Sequence, residues 1–191
     1  MKKIVIFASG SGTNMQRIVE YFKERGAVSV QKLFCNREDA YVLERAKQLG
    51  IPAVVFGKDD FYGTDHILDS LKVLSPDLIV LAGFLWKVPE KIIHAFPSKI
   101  INIHPALLPK YGGKGMYGEH VHRAVIENGD TESGVTVHYV NENYDEGNIV
   151  MQAKCAIHSG DTHETLAQKI HHLEYDYFPI AIEQLLTAQA K

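Results

Sequence analysis

The chain begins with a dense apolar run, Lys3 to Ala8, that stops at Ser9-Gly10-Ser11-Gly12; Met15, Ile18, Val19 and Phe22 then recur at helical spacing. Strand, glycine turn and helix in that order constrain the fold more than any other feature. A parallel connection has to carry its helix across a face of the sheet, and successive units of this kind build a covered, mostly parallel sheet. The unit repeats. Val28 to Cys35 is a second apolar run, and Ala40 to Leu49 then runs helically into Gly50 and Pro52, a stop signal. Ala53 to Phe56, a helix through Ile67, Leu68, Leu71 and Leu74, Leu78 to Ala82 and Lys99 to Ile103 supply three more strands and a helix. The expected fold class is therefore α/β, three layers around a Rossmann-like, mostly parallel sheet with helices on both faces.

After residue 130 the period changes. Val135, Val137 and Tyr139 alternate with Thr136, His138 and Val140, and a second stretch runs from Asn148 to Ile157 beyond Asp145-Glu146-Gly147, which predicts an antiparallel hairpin. Asp161, with Glu164 three residues on, predicts a helix start. Leu166, Ile170, Leu173 and Tyr177 keep one apolar face until Pro179, where a break or kink is expected before a final helical piece, Ile180 to Ala188. With 191 residues, no linker and no repeat, a single domain covering 1–191 is expected.

The charge balance, 20 Lys+Arg against 23 Asp+Glu, gives no broad cationic field, so neither nucleic acid nor a membrane surface is an expected partner. The longest apolar run, Leu78 to Trp86, is far below the ~20 residues of a membrane span, and Met1-Lys2-Lys3 with Ile4 to Ala8 is too short for a signal peptide. A cytoplasmic location is expected. Cys35 and Cys155 form no metal or disulfide pattern and are expected to be buried apolar residues.

Three segments can carry chemistry. Glycines in Ser9-Gly10-Ser11-Gly12-Thr13-Asn14 let backbone N–H groups approach a ligand at a helix start, which suits a phosphate, although they also serve a tight turn. Met15 stands where a dinucleotide fingerprint needs its third glycine, and the second strand ends in Cys35-Asn36 with no acid for a ribose, which disfavours NAD. In Ile101-Asn102-Ile103-His104-Pro105 the period of two aims Asn102 and His104 to one side at a strand's carboxyl end, where α/β sheets place ligands; a capped strand end is the bland alternative. Asp145 could hold His104 charged, or be ordinary turn chemistry. His120-x-His122 has no accompanying metal pattern and would point its two rings apart, so no metal is expected. Gly112-Gly113-Lys114-Gly115 could be another phosphate loop, and a mobile loop between strand and helix explains it equally well.

Taken together, Ser9 to Asn14, Leu81-Ala82-Gly83-Phe84, Asn102-Ile103-His104-Pro105-Ala106-Leu107-Leu108-Pro109 and Asp145-x-Gly147 make the chain resemble, along nearly its whole length, the phosphoribosylglycinamide formyltransferases of purine biosynthesis. The resemblance implies the formyltransferase fold and 10-formyltetrahydrofolate as co-substrate. It implies binding of the ribonucleotide 5′-phosphate by Gly12, Thr13 and Asn14 and of its ribose hydroxyls by Glu174. Leu85, Trp86, Lys87 and Val88 with Asn141, Glu142, Asn143, Tyr144 and Asp145 would line the folate pocket, and Asn102, His104 and Asp145 would be the catalytic trio. The partners implied are small molecules, with the chain a monomer or homodimer. Trp86 stands where the family often has a basic residue, and Lys110 to His120 is longer and richer in glycine than usual. A 10-formyltetrahydrofolate hydrolase and a methionyl-tRNA formyltransferase are the rivals within the superfamily. The strand beginning at Lys3 and the absence of a basic segment beyond Leu186 argue against each in turn. A nucleotide-binding module and an oxidoreductase are the rivals outside it.

Overall fold

The computed structural model describes residues 1–188 and divides into two compact units, Met1–Ile101 with the segment from Leu185 onward, and Asn102–Gln184. The strands are β1 (Lys2–Ala8), β2 (Val28–Cys35), β3 (Ala53–Val55), β4 (Leu78–Leu81), β5 (Ile100–His104), β6 (Glu132–Tyr139) and β7 (Ile149–Ala156). The helices are α1 (Thr13–Arg25), α2 (Val42–Gln48), α3 (His66–Leu74), α4 (Glu90–Ala95), α5 (Glu119–Glu127) and α6 (His163–Ala188). Hydrogen-bonded neighbours follow the order β3-β2-β1-β4-β5-β6-β7, a seven-stranded α/β sheet.

In the first unit β1 pairs in parallel with both β2 and β4, and β2 with β3. Ile4, Val5, Ile6 and Phe7 are buried on both faces, as a central parallel strand requires. Phe7 stacks on Phe34 at 4.8 Å, and Phe56, Phe61 and Phe84 close around it. α1 buries Met15, Ile18, Val19 and Phe22, the stripe read from the sequence, and ends at Gly26 (φ 66°), whose N–H bonds the Phe22 carbonyl at 2.9 Å. A π-helical turn at Asp59–Gly63, which the sequence reading does not contain, buries Phe61.

The second unit carries the antiparallel β6–β7 pair, as expected, but the alternation on β6 is not a division between core and solvent. Thr136 (0% exposed) and His138 (2%) are as buried as Val135 and Val137. The register shifts between Val137 and His138, where β7 inserts Val150. Three further expectations are corrected. α6 runs unbroken through Pro179, since a helix can lose one N–H bond where packing holds it; Phe178, Ala181 and Ile182 on either side are fully buried. Its first residue is His163, and Thr162 accepts from the Thr165 N–H at 3.4 Å, while Asp161 is occupied by the His158 N–H (2.7 Å) and Lys169. Cys155, on β7, is only half-buried: it alternates in step with buried Ala153, but it lies near the end of the strand at the edge of the sheet.

Candidate active site

β5 delivers Asn102 and His104 to one side, as its period of two requires, and buries the imidazole to 3% exposure. β6 brings His138 beside them. The loop from β6 to β7 carries Asp145 in a left-handed conformation (φ 56°), and Gly147 closes this loop where any Cβ would strike the Tyr139 carbonyl. Asp145 lies between the two rings, Oδ2 at 3.7 Å from His104 Nδ1 and Oδ1 at 3.6 Å from His138 Nε2. These are ion-pair distances, longer than hydrogen bonds. Oδ2 also accepts the Gly113 N–H at 3.0 Å.

The hydrogen bonds fix the tautomers. His104 Nε2 lies 2.7 Å from the Tyr111 carbonyl, so that nitrogen carries the proton. His138 Nδ1–H donates to the Tyr139 carbonyl at 2.9 Å, leaving Nε2 to accept from Asn102 Nδ2 at 3.1 Å. One N–H of the Asn102 amide is thereby committed and the other is available to a ligand. Burial pushes the His104 pKa below its ordinary value, against the opposing pull of Asp145 and the Tyr111 carbonyl. The expectation that Asp145 holds His104 charged is therefore corrected: desolvation outweighs the carboxylate, and the ring is neutral near pH 7. His138 is pushed down too, by burial first, with the Tyr139 carbonyl and Asp145 opposing.

The Pro105–Pro109 stretch beside His104 is pinned by one hydroxyl. Thr136 Oγ1 donates to the Ala106 carbonyl (2.7 Å) and accepts from the Leu108 N–H (3.0 Å) and Gln152 Nε2 (2.9 Å), using every valence it has. Gln152 also reaches the Leu108 carbonyl at 3.0 Å. The Leu108–Pro109 peptide is cis. Asn141, Glu142, Asn143 and Tyr144 line the loop before Asp145, mostly exposed, with the Asn143 N–H turned onto Asn141 Oδ1. Glu174 is buried on α6.

In the first unit the Ser9–Asn14 loop leaves β1 with Gly12 in the left-handed region (φ 78°). A Cβ there would lie 2.4 Å from Val42 Cγ2 and 2.8 Å from Val42 Cα, so only glycine fits. Ser9, 1% exposed, bonds the Gly83 carbonyl through its N–H (3.1 Å) and accepts the Leu85 N–H on its hydroxyl (3.0 Å), tying the loop to Leu85–Val88. Within that segment Leu85 is exposed, Trp86 sits edge-on to Phe56 at 5.9 Å, and Val88 is buried. The Lys87 carbonyl accepts the Tyr62 hydroxyl at 3.0 Å.

Sequence reading brings out Asn102, His104 and Asp145 but passes over His138, Tyr111 and Thr136. His138 and Thr136 look like the outward residues of an alternating strand. The one signal against this is that Thr136 lies between two valines and His138 between Val137 and Tyr139, on a strand leading straight to Asp145.

His120 is exposed on α5 and His122 buried, the divergence expected of an H-x-H pair there, and no cluster of His, Cys, Asp or Glu among the described residues could hold a metal. Burial, then the nearby His171, His163 and His104, with Glu119 opposing, push the His122 pKa from 6.5 to about 4. Between those values the unfolded chain binds a proton that the folded chain refuses, so stability falls as pH falls through the window. By pH 5 the loss from His122 is expected to reach about 2 kcal/mol. Urea unfolding at pH 7.5 and 5 should show it, with a flatter dependence in His122→Leu; an unchanged slope in that variant would assign the effect elsewhere.

The chain belongs to the formyl transferase family, whose model matches residues 2–182. The branch is that of the phosphoribosylglycinamide formyltransferases. The Haemophilus influenzae enzyme of that name is 42% identical over 188 residues, 96% of this chain and 86% of its own length. The chloroplastic enzyme of Arabidopsis thaliana is 41% identical over 93% of this chain, which spans only 63% of that relative's length. Among solved structures, glycinamide ribonucleotide transformylase 1 from Geobacillus kaustophilus superposes with a TM-score of 0.88 at 38% identity, over 97% of this chain and 99% of its own. Among the described residues no helix is long and apolar enough to cross a membrane.

Proposed function

We propose that the chain transfers the formyl group of 10-formyltetrahydrofolate to the amine of 5′-phosphoribosylglycinamide, giving formylglycinamide ribonucleotide and tetrahydrofolate in de novo purine biosynthesis. The observation that carries the reading, in a chain of this family, is the half-buried Asp145 carboxylate set between the buried rings of His104 and His138 with the Asn102 amide alongside. Gly12, Thr13 and Asn14 hold the 5′-phosphate, Glu174 the ribose hydroxyls, and Leu85, Trp86, Lys87 and Val88 with the Asn141–Tyr144 loop the folate.

The free amine attacks the formyl carbon on N10 and an oxyanion forms. The uncommitted Asn102 N–H and His104 Nε2–H, turned from the Tyr111 carbonyl, stabilise it. Negative charge on both sides of the ring, the oxyanion at one nitrogen and Asp145 at the other, raises the proton affinity of His104 at the moment of reaction. His104 takes up the proton that the attacking nitrogen loses and gives it to N10, the C–N10 bond breaks, and tetrahydrofolate leaves. Orientation of two bound molecules supplies much of the acceleration. Neither nucleic acid nor membrane takes part, the chain works as a single domain, a monomer or homodimer, in the cytoplasm, and needs no metal. The decisive experiment follows the folate absorbance change with and without phosphoribosylglycinamide. Acceptor-dependent formation of tetrahydrofolate is expected; formate release independent of the acceptor would make the chain a hydrolase.

A further inference from the structure

The start of α2 grips the opening loop by two successive carbonyls. The Val42 N–H donates to the Gly10 carbonyl at 3.1 Å, and Arg45 Nε donates to the Ser11 carbonyl at 2.9 Å. In a trans peptide the carbonyl and the next N–H point in opposite directions. Drawing the Gly10 and Ser11 carbonyls toward α2 therefore turns the Ser11 and Gly12 N–H groups away from it. The Gly12 carbonyl is meanwhile committed to the Gln16 N–H at 2.9 Å.

The guanidinium is itself fixed. Its Nη1 donates to Gln16 Oε1, whose amide in turn donates to Glu20 at 2.7 Å, and the Tyr41 ring lies 5.0 Å below it. One side chain, 34 residues from the loop, thus ties α2, the loop carbonyl and the first turn of α1 together. Sequence reading does not single out Arg45 within the helical stretch Ala40 to Leu49.

We infer that Arg45 is a positioning residue for the ribonucleotide phosphate: it orients the loop's peptide planes and keeps a positive charge at the loop. The inference rests on reading that loop as the phosphate site. A planar fork that holds two acceptors at once is what arginine supplies and lysine does not.

The test uses the full chain with Arg45→Ala and Arg45→Lys. Arg45→Ala should raise KM for phosphoribosylglycinamide by about 10- to 100-fold, the value of a charge-assisted hydrogen bond, with kcat and the folate KM within about threefold of the parent. Arg45→Lys should fall between the two. A merely structural role would shift both KM values and kcat together, and that outcome would overturn the inference. Thermal protection by ribose 5-phosphate provides a readout independent of catalysis: it should be present in the parent and lost in Arg45→Ala. Equal protection of both proteins would also overturn the inference. If the parent is protected but transfers no formyl group to phosphoribosylglycinamide, the functional reading fails while the assignment of Arg45 stands.

Discussion

Asp145→Asn is expected to lower kcat for formyl transfer by about three orders of magnitude. The substitution keeps the size of the side chain and its capacity to accept the Gly113 N–H. It removes the negative charge 3.7 Å from His104 Nδ1 and 3.6 Å from His138 Nε2. At an effective dielectric of ~20 a charge pair near 4 Å is worth about 4 kcal/mol, and each 1.4 kcal/mol of barrier is about tenfold in rate. The charge matters little to the ground state, where burial keeps both imidazoles neutral. It matters when His104 takes up a proton. Single-turnover kinetics should therefore show the chemical step slowed, while thermal protection by ribose 5-phosphate is unaffected. His104→Ala should lose at least as much. Turnover within about tenfold of the parent in Asp145→Asn would take the carboxylate out of the reaction.

Gly12→Ala is expected to cost about 2–5 kcal/mol of stability and to abolish measurable saturation by phosphoribosylglycinamide. Two effects add. The backbone is held at φ 78°, where an L side chain is strained, and the new Cβ would meet Val42 at 2.4–2.8 Å, including its Cα. The conflict with the backbone leaves no rotamer to escape into, so α2 or the loop must move, and the grip of Val42 and Arg45 on the loop carbonyls is lost with it. A thermal melt should fall by roughly 5–15 °C for a chain of this size. Gly10, with open space around its Cβ position, provides the contrast: Gly10→Ala should be mild in both assays.

The elements that sequence reading locates best are those whose signal is local. The β1–loop–α1 unit and β2 end where glycine, asparagine or helical spacing says they should, because each is decided by its own residues. Asn102 and His104 are legible for the same reason, since a period of two on one strand suffices. The residues alone leave Asp145 open between a partner of His104 and a turn residue, and the family resemblance decides, because its approach to His104 depends on a loop 41 residues further on. His138 and Thr136 are obscured by burial on both faces of β6, which turns a polar alternation into an internal network. Arg45 is obscured by distance along the chain: its partners are Ser11 and Gln16, and nothing within α2 announces them. Pro179 misleads because a local rule for helix breaking is overridden by the buried faces on either side of it.

The hydroxyl that pins the Pro105–Pro109 stretch has no valence to spare, and this restricts which mutations a lineage can accept there. Valine at 136 would strand a buried carbonyl and a buried amide and leave Gln152 only its bond to the Leu108 carbonyl, whereas serine alone could keep all three partners bonded. Drift at this locus is confined to a single neighbouring residue type, however freely the surface around it changes.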